Sequence, residues 1–399
     1  MRRLDAVATI EDLAKIARRR MPKFAFNYLD GGAGDDKGVV RNRQQLDGIA
    51  LKPALARGIT PNLTTALFDK IYSMPFGIAP TGPNNLLWPG ADEILAKVAS
   101  GANIPVVVST MATTSIERFA ELARELTWFQ LYPLRSDTVT DDLLDRIWRI
   151  GITVLVVTID VTTDAVRNRD VRGGFNDPGF LRSGRFLFDV GRRPAWMLGQ
   201  LKRGKPKLAN LTPYIGRDSI GQETARNAGD LLLHDVTWDH LKRVRKKWKG
   251  TLVIKGILDP DDAVSAVDIG ADAIWVSNHG GRLLESAPAA IDALQHIKLA
   301  IGDGTKLLMD GGIRSGEDIV KAGIRGADMV FSGRSLLYGI GAAGSAGAEH
   351  GLKLLRDGAA RTLGQIGCPA YKSLNARWAW PSQVERKDHQ LGKQPFVNS

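Results

Sequence analysis

The chain has 399 residues, of which 44% are hydrophobic and 24% are charged. These proportions are close to the average of soluble globular proteins, so they exclude an intrinsically disordered chain and allow a sizeable core. The formal net charge of +11 predicts an anionic partner, such as a phosphate cofactor, an acidic substrate, nucleic acid or a membrane surface.

Residues 1–70 are expected to form a helical cap that precedes a barrel. Apolar side chains recur there at helical spacing at Ile10, Leu13 and Ala17, with charged residues between them. The longest apolar run of the chain, residues 152–159, is far too short to cross a bilayer.

Eight short apolar or β-branched runs follow, most of them separated by amphipathic helical segments. The strands are predicted at residues 76–80, 105–109, 127–131, 153–159, 251–255, 273–277, 306–309 and 329–331. The helices are predicted at residues 91–100, 116–126, 141–149, 261–269, 289–300 and 316–322. Eight such β/α units predict an α/β fold, a closed (β/α)8 TIM barrel of parallel strands buried on both faces. A doubly wound open sheet is the alternative.

Residues 175–239 separate the fourth and fifth predicted strands and are too long for a simple connection. We expect them to form an insertion at the active face of a barrel that spans residues 71–375, with a tail at residues 376–399. The basic residues of segment 180–207 are Arg182, Arg185, Arg192, Arg193, Lys202, Arg203, Lys205 and Lys207. Its large apolar residues are Phe180, Leu181, Phe186, Leu187, Phe188, Trp196, Met197, Leu198 and Leu201.

This alternation of apolar and basic residues predicts contact with an anionic membrane surface. The alternative is a solvated lid over the active site. Nucleic acid is not expected, because no recognised binding motif accompanies the charge.

Polar residues and glycines accumulate where the predicted strands end, and the active sites of such barrels lie at these carboxyl ends. They are Pro80, Thr81, Gly82, Ser109, Gln130, Tyr132, Thr158, Asp160, Lys255, Ser277, His279, Asp310, Gly311, Gly312, Arg314, Gly333 and Arg334. The last six of these, after the seventh and eighth strands, predict a phosphate site. Glycine lets backbone N–H groups approach an anion, and the two arginines would add charge-assisted hydrogen bonds. The alternative is that these glycines only form tight turns.

His279 and Asp160 are the candidates for acid–base chemistry, because a carboxylate can fix the tautomer of an imidazole and stabilise its protonated form. Arg167 and Arg282 could grip a carboxylate by two-point hydrogen bonding. No metal site is predicted, because the six histidines lack paired ligand spacing and Cys368 is the only cysteine.

The segment Ser277-Asn278-His279-Gly280-Gly281-Arg282 resembles the signature of the FMN-dependent α-hydroxy acid dehydrogenase/oxidase family, and further matches run from residues 28–33 to residues 367–369. The resemblance implies that His279 is the base and that Asp160 orients it. Arg167 and Arg282 would hold the substrate carboxylate, and Tyr28 and Tyr132 would donate hydrogen bonds to the substrate. It implies an FMN held by Pro80, Thr81, Gly82, Ser109, Gln130, Thr158, Lys255 and Ser277, with its phosphate on Asp310, Gly311, Gly312, Arg314, Gly333 and Arg334.

Residues 80–84 and 87–89 resemble the mandelate dehydrogenase branch of this family, which is close to the membrane-associated L-lactate dehydrogenases. Gly82 stands where oxidases of the family commonly carry alanine, and Met111 stands where glycolate oxidase has tryptophan. Thr162 departs from the proline that the family usually has two residues after the aspartate.

The resemblance implies a homotetramer, peripheral on the cytoplasmic side of the inner membrane or cytoplasmic. It would oxidise an (S)-2-hydroxy acid, mandelate-like or lactate-like, and pass the electrons to a quinone or another membrane acceptor. Two other functions are considered. One is an oxygen-using oxidase that releases hydrogen peroxide, and the other is a non-redox barrel that binds phosphate ligands or a membrane.

Overall fold

A computed structural model of the chain describes residues 4–174, 183–215 and 229–381. Eight parallel strands close into a barrel in the order β10-β3-β4-β5-β6-β7-β8-β9. These strands are β3 (Phe76–Ile78), β4 (Val106–Ser109), β5 (Thr127–Leu131), β6 (Val154–Thr158), β7 (Thr251–Ile257), β8 (Ala273–Val276), β9 (Lys306–Met309) and β10 (Met329–Ser332). The predicted (β/α)8 barrel is therefore confirmed, and the open sheet is wrong.

Helices surround the barrel and precede it. The α-helices are Ile10–Arg20, Lys23–Asp30, Lys37–Asp47, Asn84–Leu87, Ala91–Ala102, Ile116–Ala123, Asp137–Arg149, Asn168–Arg172, Gly184–Gly191, Pro194–Arg203, Thr212–Ile215, Trp238–Lys247, Pro260–Asp268, Ala290–Ile301, Gly316–Ile324, Arg334–Ala343 and Ser345–Ile366. Short 3-10 turns lie at Leu4–Ala6, Arg124–Leu126, Tyr371–Ser373 and Ala376–Trp378. The first three helices form the predicted helical cap. The division of the chain at residues 70 and 375 stays a prediction.

The amino end of the barrel is covered by an antiparallel hairpin, β1 (Thr65–Leu67) and β2 (Lys70–Tyr72). Phe68 at its turn packs on Trp128 of β5, with ring centroids 5.6 Å apart. Trp128 in turn contacts Phe331 of β10, and Phe331 lies 4.1 Å from Trp275 of β8. Phe68 is partly buried, and the rings of Trp128, Phe331 and Trp275 are fully buried. Together they fill the barrel from the hairpin inward, so the polar strand ends lie at the opposite face.

The last helix of the described chain, Ser345–Ile366, lies very close to its neighbour Gly316–Ile324. A Cβ atom on Gly316 would stand 1.9 Å from the backbone nitrogen of Ala359, so only glycine permits this approach. The first helix, Ile10–Arg20, packs on Arg334–Ala343, with Ala17 beside Gly341. The first and the last α-helix of the described residues therefore belong to one layer, with Arg334–Ala343 between them.

The described part of the insertion packs on the helical cap. The ring of Phe24 lies 5.7 Å from Phe186 and 5.8 Å from Trp196. The Trp196 indole also donates to the carbonyl oxygen of Leu87, over 3.1 Å. In the residues that the structure describes, no helix combines the length and apolar character that a bilayer span requires.

The apolar residues of segment 180–207 divide into two groups. Phe186, Trp196 and Met197 pack against the protein. Four others are more than half exposed on the helices Gly184–Gly191 and Pro194–Arg203: Leu187, Phe188, Leu198 and Leu201. Phe180, Leu181 and Arg182 lie outside the described residues.

Candidate active site

The carboxyl ends of the strands bring a set of buried polar side chains to one face of the barrel. None of them is more than 4% exposed: Ser109, Gln130, Thr158, Lys255 and Ser277. Continuous apolar strands would not place polar groups here without partners, because an unpaired buried polar group costs about 1–3 kcal/mol. The hydrogen-bond partners of these groups, or the lack of a partner within the protein, therefore indicate which kind of ligand the site binds.

His279 lies between a carboxylate and a phenol. Its Nδ1 is 3.0 Å from Oδ1 and 3.2 Å from Oδ2 of Asp160. Its Nε2 is 3.4 Å from the hydroxyl of Tyr132, whose ring stacks on the imidazole. Burial raises the pKa of Asp160, but the charge of the imidazole and its hydrogen bond outweigh burial and leave that pKa below its ordinary value. Burial, and the charge of Asp160, raise the pKa of Tyr132, so this phenol stays protonated at neutral pH.

The backbone at His279 is in the left-handed region, with φ of 55°, which is uncommon for a residue with a side chain. The hydroxyl of Ser277 accepts from the His279 N–H over 3.0 Å. Arg334 donates to the carbonyl oxygen of Gly280 over 2.8 Å. Two side chains therefore hold the strained turn that presents the imidazole.

Asn278, the residue before His279, connects this turn to the helical cap. Asn278 exchanges two amide hydrogen bonds with Asn42, of 2.8 and 2.9 Å, and its Oδ1 also accepts from the N–H of Gly281. Both asparagines are buried. The turn is thus fixed from the side of the cap as well as from the barrel.

Arg167 and Arg282 both lie near the ring of Tyr28. Their guanidinium carbons are 5.5 and 4.8 Å from the centre of its ring. Arg282 donates through Nη1 to the carbonyl oxygens of Tyr28 and Gly31, at 2.7 and 2.8 Å. Burial and the like charge of Arg167 lower the pKa of Arg282. Two guanidinium groups in one partly buried place form a binding site for an organic anion.

Lys255 forms a buried ion pair with Asp310, with Nζ 3.0 Å from Oδ2. Its Nζ also donates to the hydroxyl of Ser277, over 2.8 Å, and that hydroxyl donates to Oδ1 of Asp310 over 2.6 Å. The carboxylate of Asp310 is thus occupied within the protein. Asp310 therefore positions two groups that face the site, the charge of Lys255 and the hydroxyl of Ser277.

Two buried groups beside these residues, Gln130 Nε2 and Thr158 Oγ1, have no hydrogen-bond partner within the described part of the chain. The Ser109 hydroxyl donates to the other amide atom of Gln130, over 2.9 Å, which leaves the NH2 group as the available donor. A flat heterocycle that carries ring nitrogens, carbonyl oxygens and an N–H group has the partners that these atoms lack. The isoalloxazine ring of FMN is such a group, so the residues fit it.

The two predicted phosphate loops, after the seventh and eighth barrel strands, each lead into a helix. The two helices differ in whether side chains cap their first turn. Ser315 and Asp318 cap the helix Gly316–Ile324, and Asp318 also accepts from the N–H of Arg314. The helix Arg334–Ala343 begins at Gly333 without a side-chain cap, and a Cβ on Gly333 would stand 2.5 Å from Thr81. Because no side chain caps this helix at Gly333, its start is the better anion site of the two.

The other predicted phosphate ligands lie around this helix end. Gly311 and Gly312 have φ of 101° and 86°, in the left-handed region that favours glycine, so neither position places a side chain beside this helix end. The guanidinium of Arg314 stacks 5.3 Å from the ring of Tyr338. Arg334 gives one hydrogen bond from each nitrogen to the carbonyl oxygens of Leu29, Gly31 and Gly280. Arg334 is thus first of all a tie between the cap and the His279 turn, which the sequence did not indicate.

Three further predicted contacts lie at the first barrel strand. Pro80 and Thr81 are partly buried after β3. The Tyr28 hydroxyl donates to the carbonyl oxygen of Gly82 over 2.9 Å. A Cβ on Gly82 would stand 2.4 Å from the carbonyl oxygen of Met111, so the two segments touch through their backbones.

The sequence did not single out Asp92 and Asp170, both of which are buried at this face. Asp92 accepts from Asn84 and from Thr113, and so joins the segments that contain Gly82 and Met111. Asp170 lies three residues after Arg167. This spacing, which brings two side chains close on a helix, was the one feature of the sequence that could have indicated their contact. Among the described residues, no three His, Cys, Asp or Glu side chains are grouped as a metal ion would require.

Comparisons with known proteins show the family to which this chain is similar. The model of the FMN-dependent dehydrogenase family matches residues 17–381. An (S)-mandelate dehydrogenase of Pseudomonas putida is 35% identical over 388 residues, which cover 96% of this chain and 97% of that protein. An L-lactate dehydrogenase of Allorhizobium ampelinum is 36% identical over 350 residues, which cover 87% of this chain and 92% of that protein.

A crystal structure described as monotopic membrane protein (S)-mandelate dehydrogenase superposes with a TM-score of 0.89. It is 34% identical in sequence, and the match covers 94% of this chain and 100% of that one. The family model spans nearly the whole barrel, and both relatives exceed 30% identity. The chain therefore belongs to the family of FMN-dependent dehydrogenases, and its cofactor is FMN.

Proposed function

We propose that this chain oxidises an (S)-2-hydroxy acid, mandelate-like or lactate-like, to the 2-oxo acid. The observation that carries the proposal is the Asp160–His279 pair, with Nδ1 at 3.0 Å from the carboxylate, on the same barrel face as two arginines. A base that removes a proton and a site that holds a carboxylate are the two requirements of a hydroxy acid substrate. The mandelate and lactate dehydrogenases among the relatives support the same substrate class.

His279 acts as the base through Nε2. The ionised carboxylate of Asp160 can only accept a hydrogen bond, so the neutral imidazole carries its proton on Nδ1 and has its lone pair on Nε2. When Nε2 takes the proton of the substrate hydroxyl, the negative charge of Asp160 stabilises the imidazolium that forms. Tyr132, 3.4 Å from Nε2, donates to the substrate oxygen.

Arg167 and Arg282 hold the substrate carboxylate. The Tyr28 hydroxyl has one proton, which it donates to the carbonyl oxygen of Gly82, so it hydrogen-bonds the substrate by exchanging that acceptor for a substrate oxygen. Because Nη1 of Arg282 already donates to two carbonyl oxygens, its remaining nitrogens are the ones directed to the substrate. A fixed guanidinium loses little freedom when it binds, which favours a defined orientation of the Cα–H bond.

FMN, when bound, accepts the two electrons of that Cα–H bond. The residues proposed to contact its ring are Ser109, Gln130, Thr158, Lys255 and Ser277, beside the segment Pro80-Thr81-Gly82, with the Gln130 amide group and the Thr158 hydroxyl as the available donors. The proposed phosphate site is the start of helix Arg334–Ala343, with Gly311, Gly312, Arg314 and Gly333 around it. Lys255 supplies a buried positive charge that Asp310 holds in place.

The proposed electron acceptor is a quinone or another membrane acceptor, reached from the cytoplasmic side of the inner membrane by a peripheral homotetramer. Exposed Leu187, Phe188, Leu198 and Leu201 beside the basic residues of segment 180–207 support membrane contact. The description of one structural relative as a monotopic membrane protein is in line with it.

The test is an anaerobic titration of the purified holoenzyme with (S)-mandelate, L-lactate and glycolate. We expect loss of the oxidised flavin absorbance with at least one of the first two acids. A yellow protein that none of the three reduces would contradict the proposed activity, and a protein that stays colourless with added FMN would favour a non-redox barrel.

The reduced protein is then mixed with oxygen. We expect slow reoxidation by oxygen and rapid reoxidation by a soluble quinone. Rapid release of hydrogen peroxide would instead identify an oxidase.

A further inference from the structure

The two-arginine site contains an acid that the proposed reaction does not use. Asp170 belongs to the short helix Asn168–Arg172 and is 5% exposed. Its Oδ2 lies 3.8 Å from Nη1 of Arg167, a distance at which charges attract but which is too long for a hydrogen bond. Its Oδ1 is buried and has no hydrogen-bond partner among the residues that the structure describes. A buried carboxylate held this way is costly, so its position requires an explanation.

Asp170 interacts electrostatically with both arginines. Burial raises the pKa of Asp170 above its ordinary value, and the charges of Arg167 and Arg282, which favour the carboxylate form, offset part of this rise. The same carboxylate opposes the lowering of the Arg282 pKa by burial and by Arg167. Two other cations nearby, Arg169 and Arg334, are balanced by Asp30 and Asp36. Arg169 is paired with both carboxylates, and Arg334 attracts Asp30. Arg167, Arg282 and Asp170 together therefore give the site a net charge of +1.

We infer that Asp170 determines specificity for monocarboxylates, an inference that rests on the proposed binding of a hydroxy acid by Arg167 and Arg282. One substrate carboxylate neutralises the remaining charge. A second carboxylate in the same place would be buried without a counter-charge, which is strongly unfavourable. Asp170 thus makes the pair of arginines selective, whereas two arginines alone would favour a dianion.

The experiment replaces Asp170 by asparagine in the holoenzyme. Binding of propionate and malonate, which have nearly the same size but carry one and two charges, is followed by the change in flavin absorbance at neutral pH. Because a Coulomb energy is proportional to the ligand charge, the fold-gain in affinity for malonate should be about the square of that for propionate. The preference for malonate should therefore rise at least about threefold.

The matched control is Asp164→Asn, which removes the same charge from an exposed position of the same segment and should leave the preference unchanged. If Asp170→Asn does not fold, Asp170→Glu, which keeps the charge, should keep the wild-type preference, and Asp170→Ser should raise it. An unchanged or lower malonate preference in the variants without the charge would overturn the role of Asp170. A wild-type holoenzyme that binds neither acid would instead refute the carboxylate site itself, so the two failures are distinct.

Discussion

Arg334 donates to the carbonyl oxygen of Gly280, the residue that follows His279, and so controls the turn that carries the proposed base. The same guanidinium donates to the carbonyl oxygens of Leu29 and Gly31, at the end of the helix Lys23–Asp30. Burial lowers its pKa to about 10, so it remains charged at neutral pH. One side chain thus joins the cap, the last strand and the catalytic turn.

Replacing Arg334 by lysine should damage both stability and turnover. A single ammonium group cannot reproduce three donors in a planar fork, so buried carbonyl oxygens lose their partners. We expect a loss of about 2–4 kcal/mol in the free energy of unfolding, measured by denaturant titration, and at least a tenfold lower kcat. Arg361→Lys, at an exposed position, is the control and should be neutral. A variant with wild-type stability would show that these bonds contribute little.

His279→Asn should keep its flavin and lose the reaction. Asparagine is one of the few residues that tolerates the left-handed backbone found at this position, so the turn should persist. Without the base, we expect flavin reduction by substrate to slow by about 10³-fold in anaerobic stopped-flow measurements, at an unchanged flavin content. The exposed His296→Asn serves as the control. Normal bleaching of His279→Asn would remove this histidine from the mechanism.

Gly316→Ala should be strongly destabilising, because the new Cβ would stand 1.9 Å from the backbone of Ala359 and the two helices would have to separate. We expect a cost of about 3 kcal/mol or more, seen as a lower Tm. Gly101→Ala is the matched control, since this exposed helical glycine has no atom within 4 Å of the added carbon. It should gain up to about 1 kcal/mol. Equal Tm values for the two variants would refute the close approach.

The stability that Glu117 contributes should depend on pH. Arg146 donates to both carboxylate oxygens of Glu117, at 2.6 and 2.8 Å, and lowers its pKa to about 2. Since the folded pKa lies below the unfolded one, the stabilisation is complete above about pH 4.5 and is lost as the pH falls toward 2. Glu117→Gln should cost roughly 1 kcal/mol at pH 7, because the pair is partly exposed. The difference in Tm from the wild type should shrink between pH 5 and pH 3, and a constant difference would contradict this account.

The exposed apolar side chains of the insertion should bind an anionic bilayer. We expect the holoenzyme to sediment with vesicles of phosphatidylglycerol and phosphatidylcholine. The double variant Phe188→Asp, Leu201→Asp should bind at least about tenfold more weakly, because it removes apolar area and adds negative charge. Leu299→Asp changes a leucine that is 77% exposed elsewhere on the barrel and should bind normally. Equal binding by all three proteins would exclude this surface as the contact.

The barrel could be predicted because its strands are continuous apolar runs. Thr127–Leu131 and Lys306–Met309 have the predicted bounds, since polar or glycine residues follow each of them. The helix Asp137–Arg149 starts four residues before its predicted beginning, because Ser136 caps a first turn that has no apolar pattern. The hairpin β1–β2 was missed, because three-residue strands have too few side chains to show alternation.

Residue types at the strand ends identified the Asp160–His279 pair, but the partners of other side chains depend on distant parts of the chain. Asp310 and Arg334 were expected at a phosphate, whereas Asp310 pairs with Lys255 and Arg334 donates to three carbonyl oxygens. Asp170 could not be distinguished from an ordinary surface acid, because its burial depends on how the helix Asn168–Arg172 packs on the helix Lys23–Asp30 of the cap. The sequence therefore predicts the type of chemistry at the site more readily than it predicts which side chains hold each other in place.

The carbonyl oxygens of Tyr28, Leu29 and Gly31 accept hydrogen bonds from arginines that lie more than 250 residues later in the chain. A ribosome has therefore made most of the protein before the first forty residues meet the groups that fix them. An incomplete chain that ends before residue 334 has neither the tie to the catalytic turn nor the proposed phosphate-binding helix end. Flavin capture should accordingly be one of the last events in biogenesis, and shortened translation products should be unable to retain the cofactor or react with hydroxy acids.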